Sequence, residues 1–156
     1  MCYNECMKTY PFQLDKVEGF FEHFRFLSNF MYVDVTLDGL AYMSTEHAYQ
    51  AAKTLVPEER EKIRAAKSSG AAKKFGKSVT KRDDWDEVKE SIMLDLLRQK
   101  FAQDPYRQLL LATGEALLEE TNFWGDTYWG VCKDIGQNRL GVLLMQVRNE
   151  LRSCFK

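Results

Sequence analysis

The amino-acid sequence predicts a mainly α, α+β fold: a compact single domain of helices with one small β-hairpin or sheet. Three observations carry this. Residues 83–101 hold Trp85, Val88, Ile92 and Leu96, with Met93 and Leu97 beside them, at the three- and four-residue spacing of an amphipathic helix. Residues 140–151 repeat the pattern, with Leu140, Leu143, Leu144, Val147 and Leu151 on one face. Before Asp38-Gly39, a dipeptide suited to a two-residue hairpin turn, Val33, Val35 and Leu37 alternate with polar residues as a half-buried strand does.

The remaining elements follow in chain order. Residues 1–19 show no clear period and read as an N-terminal arm with room for a short strand, which places the domain at 20–156. A dense aromatic segment runs from Phe20 to Tyr32. Ser44 or Thr45 caps a helix over EHAYQAAKTL, and Pro57 is read as closing it. EEREKIRAAKSSG reads as a second helix, acidic at its start and basic near its end, with Gly70 as the stop. A short helix is expected in AAKKFGK. Asp104-Pro105 opens another, with Pro at its first position, and Thr113-Gly114 ends it. ALLEE suits a short strand. After a glycine- and tryptophan-rich stretch, NFWGDTYWGVCKDIGQ, Asn138 is read as the cap of the last helix.

Composition bounds the function. The 156 residues suit one domain, and 45% hydrophobic with 13% aromatic residues supply a core. Twenty-two basic residues against 23 acidic ones leave a net charge of −1, so nothing favours non-specific binding to nucleic acid or a membrane. Cys2, Cys6, Cys132 and Cys154 form no zinc-spaced cluster and read as reduced thiols, although Cys2 and Cys6 are close enough in sequence to pair. No segment has the apolar run of a signal peptide or a membrane span. The expectation is a cytoplasmic protein.

Two segments offer chemistry. Glu46, Gln50 and Lys53 fall at i, i+4 and i+7 on one helix face, either as a solvated stripe or as a site. Glu46 and His47 lie on the first turn, where free N–H groups favour anions. The loop from Trp124 to Asn138 holds Trp124-Gly125-Asp126, Trp129-Gly130 and Gly136; its tryptophans either stack on a base-like ring or plug the core. Trp85 reads as core. Ser28 and Asn29 in FLSNF either close a tight turn or face a pocket. Arg82 and Lys89 are possible phosphate contacts, on spacing that usually marks solvated charge. His23 and His47 lack the partners of a metal site, and no nucleophile elbow, dinucleotide fingerprint or P-loop is present.

FLSNF, STEHAYQAAK, RDDWDEVKESIMLDLLRQKF and YWGVCKDIGQNRLGVLLMQVRNEL, in that order, resemble the YbiA-like, or NADAR, family. The resemblance runs from about Phe20 to Leu151. It implies the YbiA-like helical fold and hydrolysis of N-glycosidic bonds. Family substrates are phosphoribosylamino-pyrimidine intermediates of riboflavin synthesis and, in other branches, ADP-ribose on a guanine base. By resemblance, Glu46 is the catalytic carboxylate. Ser28, Asn29, Gln50, Lys53, Trp129, Gly130, Asp134 and Asn138 are the substrate-binding residues. Where some relatives carry an acidic residue after Trp-Gly, this chain has Val131, which leaves Asp126 or Asp134 as the source of any second carboxylate. Where relatives have Trp-Pro-Thr before Glu-His, this chain has Tyr42-Met43-Ser44-Thr45.

The implied chemistry needs no metal or redox cofactor, since one carboxylate near C1′ can stabilise oxocarbenium-like charge and activate water. The expected partner is a small ribosylated, phosphorylated substrate. Nucleic acid enters only if the substrate is an ADP-ribosylated base, no membrane is involved, and the chain is a monomer or small homo-oligomer. The alternatives are an ADP-ribose–guanine glycohydrolase and a non-catalytic module that binds ADP-ribose or a related nucleotide.

Overall fold

The computed structural model describes residues 14–153, so Cys2, Cys6, Cys154 and most of the N-terminal arm lie outside the described residues. Cys132 is unbridged. The chain divides into two units, one built from residues up to Ser28 together with those from Gln103 onward, the other from Asn29–Ala102.

The second unit contains a hairpin, β2 (Tyr32–Leu37) and β3 (Leu40–Ser44), and four helices, α1 (Thr45–Ala51), α2 (Pro57–Arg64), α3 (Ser69–Phe75) and α4 (Trp85–Phe101). The hairpin turns where the sequence places it. Asp38 and Gly39 both have positive φ, 50° and 80°, the pairing a tight two-residue turn demands, and Leu37 pairs with Leu40. Val33, Val35 and Tyr42 point into the core. Gln99 on α4 secures the hairpin through two backbone bonds to Thr36, accepting from its N–H at 2.7 Å and donating to its C=O at 2.9 Å. The buried stripe of α4 comprises Trp85, Met93, Leu96, Leu97, Lys100 and Phe101. All but the lysine are apolar, as a core face requires.

Two helix boundaries differ from the sequence reading. The first helix stops at the Ala52 cap, well before Pro57, and Pro57 instead opens α2 from its first turn, where its missing N–H costs nothing. The second helix ends at Arg64 with an Ala65 cap, and Gly70 lies inside α3, whose start is capped by the Ser68 hydroxyl accepting from the Ala71 N–H. A serine cap outweighed the glycine stop.

The first unit pairs two short strands in parallel, β1 (Lys16–Glu18) and β4 (Leu117–Glu119), with Val17 opposite Leu118. A 3-10 turn (Glu22–Leu27), α5 (Tyr106–Ala112) and α6 (Arg139–Ser153) complete it. The strand over Lys16–Glu18 falls in the stretch read as the arm. Arg148 on α6, 3% exposed, donates to the Thr113 hydroxyl and the Ala116 carbonyl, both at 2.9 Å, and so ties α6 to the segment between α5 and β4. No helix among the described residues is long and apolar enough to cross a membrane.

Candidate active site

In the second unit α1 packs against α2, α3, α4 and both hairpin strands. A helix so enclosed has no solvated side, and every residue from Thr45 to Ala51 is buried. The solvated-stripe reading of Glu46 and Gln50 therefore fails: they are 6% and 4% exposed. A carboxylate is seldom buried without partners. Here the Gln50 Nε2 donates to the Glu46 Oε1 at 2.7 Å, one helical turn away.

The start of α1 is held by a polar network. The Ser44 hydroxyl accepts from the His47 N–H at 3.2 Å. The His47 Nε2 lies 3.1 Å from the Ala66 carbonyl, which can only accept, so that nitrogen carries the proton. The Nδ1 then accepts from the Ser44 hydroxyl at 2.7 Å. His47 is fully buried, and burial lowers its pKa, against which the Ala66 bond works. A neutral imidazole with both nitrogens engaged braces the helix. The Glu46 N–H donates to the Asn29 carbonyl at 3.0 Å. With His47 bonded to Ser44, these first-turn donors are spent inside the protein, and the anion-binding reading of this turn does not hold.

Lys53 is half-buried and its ammonium lies 5.6 Å from the Tyr49 ring centre; Tyr49 in turn packs on Trp85 at 5.1 Å, so Trp85 is core as the sequence suggested. Burial lowers the Lys53 pKa, the Glu46 charge opposes that, and Lys73, Lys81 and Lys77 add to it. Asn29 is buried, with its Nδ2 3.5 Å from the Met93 sulfur. Three buried polar atoms around this cluster have no hydrogen-bond partner: Asn29 Oδ1, Thr45 Oγ1 and Gln50 Oε1. Buried acceptors of this kind are uncommon in finished cores. The structure thus brings Glu46, Gln50, Lys53 and Asn29 into one unit. Arg82 and Lys89 are engaged elsewhere, Arg82 with Asp84 at 2.5 and 2.8 Å and Lys89 with Asp86 at 2.8 Å.

Ser28, Trp129, Gly130, Asp134 and Asn138 belong to the first unit. Ser28 ends the 3-10 turn, its N–H donating to the Arg25 carbonyl. Trp129 is half-buried, edge-on to Tyr128 with ring centres 5.1 Å apart, whereas Trp124 is 54% exposed. Asn138 does not cap α6 through its side chain. Its Oδ1 accepts from the Glu120 N–H at 3.0 Å and its Nδ2 donates to the Leu118 carbonyl at 2.8 Å, so the amide braces the loop on β4. The N–H groups at the start of α6 go instead to loop carbonyls, Arg139 to Tyr128 and Leu140 to Trp129. Asp126 spends its Oδ1 on the N–H groups of Tyr128 and Trp129, at 3.1 and 2.9 Å. Asp134 is exposed in a tight turn, with φ of 64°.

The sequence reading missed Asn122, which is 1% exposed. Its amide donates to the carbonyls of Asp126 and Val131, at 2.7 and 3.2 Å, and accepts from the Asp126 N–H at 3.1 Å. The Asn-x-x-x-Asp spacing before Tyr-Trp-Gly was the available signal, since both side chains favour bonding to nearby backbone. Gly130 closes the same loop. A Cβ there would lie 2.2 Å from the Glu120 carbonyl oxygen, which is fixed by the Val131 N–H at 2.8 Å. Gly130→Ala is expected to destabilise the fold by roughly 1–3 kcal/mol, the usual cost of overpacking. A denaturation midpoint equal to the parent's would contradict the close packing.

The NADAR domain model matches residues 12–152. The chain is 42% identical over 129 residues to the N-glycosidase YbiA of Shigella boydii, covering 80% of this chain and 79% of that one. It is 36% identical to a riboflavin biosynthesis protein of Vibrio vulnificus, over 84% of this chain and 36% of that longer one. The NMR structure of the Escherichia coli protein YbiA superposes with a TM-score of 0.82 at 35% identity, covering 95% of this chain and 92% of that one. A family model that spans nearly the whole chain, joined to relatives of this similarity and length, shows that the chain belongs to the NADAR domain family.

Proposed function

We propose that the chain hydrolyses the C–N ribosidic bond of a phosphoribosylamino-pyrimidine, an intermediate of riboflavin synthesis. The chain is an N-glycosidase, the activity for which its relatives of comparable length are named. The finer choice of substrate is supported by the name of the Vibrio relative.

The observation that carries the reading is the buried Glu46 carboxylate, held by Gln50 at 2.7 Å and bordered by acceptors that lack protein donors. Cleavage of a ribosyl C–N bond moves its electron pair to nitrogen and leaves positive charge on C1′ and the ring oxygen. A carboxylate in a site shielded from water stabilises that charge more than one in solvent does. Glu46 also serves as the base: it takes a proton from the water whose oxygen bonds to C1′ and returns it to solvent, while the departing nitrogen takes up a proton from solvent. Sugar hydroxyls are donors of the kind that the Asn29 Oδ1 lacks. Lys53, its charge disfavoured by burial, gains most from an anionic group such as the substrate's phosphate.

The test is a substrate panel. The protein is incubated separately with the phosphoribosylamino-pyrimidine and with ADP-ribosylated guanosine, and free base is measured. Release from the first and little from the second is expected. The reverse preference would move the protein to the ADP-ribose branch, and tight binding with no release from either would make it a binding module.

A further inference from the structure

Gln50 is expected from the resemblance to touch substrate, yet the one hydrogen bond of its amide runs to Glu46. What holds the amide in that pose lies on another helix. Gly76 caps α3, buried, with φ −61° and ψ −14°. These are ordinary helical angles open to any residue, so glycine is not required there by the backbone. Space requires it instead. A Cβ at Gly76 would stand 1.9 Å from the Gln50 Oε1, 2.8 Å from its Cδ and 3.0 Å from its Cβ. The Oε1 has no hydrogen-bond partner, so at that end the amide is seated against the bare Gly76 backbone by contact alone.

We propose that Gly76 and Gln50 are a positioning pair for the catalytic carboxylate: the missing side chain at 76 leaves the slot in which the Gln50 amide turns its N–H toward Glu46. This rests on the assignment of Glu46 above. Neither residue touches the reacting atoms; both act through the orientation of one oxygen. Small misplacements of a catalytic group are costly to turnover, so the pair governs kcat more than KM.

The test is a double-mutant cycle with Gly76→Ala, Gln50→Ala and the double variant, reading kcat, KM and thermal unfolding. Gly76→Ala is expected to lower kcat tenfold or more with KM changed less than about threefold, and Gln50→Ala to do the same. Removing the amide empties the slot, so the double variant is expected to match Gln50→Ala alone. A Gly76→Ala variant that turns over like the parent overturns the proposal, and so does a double variant whose loss is the product of the two single losses. Should Gly76→Ala fail to fold, the double variant against Gln50→Ala decides: equal kcat supports the pairing, a further tenfold loss contradicts it. Glu46→Gln serves as the reference. If it turns over normally the assignment of Glu46 itself falls; if it is inactive while the cycle is multiplicative, only the positioning pair falls.

Discussion

Glu46→Gln is expected to fold like the parent and to lose turnover by about a thousandfold, the scale on which removing one well-placed electrostatic group acts. The substitution keeps the shape of a side chain that is only 6% exposed, and the new amide oxygen can still accept from the Gln50 Nε2. It removes the negative charge that answers the developing charge on the sugar, and with it the base that activates water. Because these interactions strengthen only in the transition state, kcat falls and KM stays within a few-fold of the parent. Circular dichroism and a thermal melt establish that the variant is folded; the rate of base release then gives the answer. A folded variant that retains more than a tenth of the parent's kcat would falsify the role given to Glu46.

Lys100→Met is expected to remove a rise in stability with pH. Lys100 is fully buried on α4, its ammonium 5.1 Å from the centre of the Phe101 ring, and burial lowers its pKa from 10.5 to about 7. The folded state therefore disfavours the charged form. Below pH 7 the lysine is protonated in both states and the full penalty is present. Between about 7 and 10.5 the unfolded chain binds a proton that the folded chain does not, so the stability of the parent rises with pH across that window. Methionine keeps the length and apolar stem of lysine without the charge. Urea midpoints at pH 6.5, 8 and 9.5 check this: the parent's midpoint climbs across the range, while that of the variant changes less. A variant whose midpoints rise with pH as steeply as the parent's would contradict the lowered lysine pKa.

The features legible in the sequence were those fixed by neighbours along the chain. Asp38-Gly39 specifies its own turn, Ser44 caps the helix beside it, and of the stripe Trp85, Val88, Ile92, Met93, Leu96 and Leu97 on α4 all but the half-buried Val88 and Ile92 are buried. Pro57 and Gly70 were misread because each suits two places, a helix end and a helix start, and only the competing caps decide between them. Asn138 was misread for a related reason: its position before a helix suggested a cap, while β4 offered its amide two better partners. The candidate site was legible as a face shared by Glu46, Gln50 and Lys53, but not as a buried one. Burial arises from α2, α3, α4 and the hairpin closing around α1, contacts that no local pattern encodes. Lys100 falls in line with the apolar stripe of its helix, and Gly76 sits in the expected short helix AAKKFGK with nothing local that ties it to Gln50.

Hydrolysis by way of Glu46 is tested by a time course of the parent protein with the phosphoribosylamino-pyrimidine, following free pyrimidine and ribose phosphate together, with Glu46→Gln in parallel. The parent is expected to release the two products in equal amounts, and the variant almost none. Substrate that binds the parent yet stays intact, or products formed equally by both proteins, would contradict it.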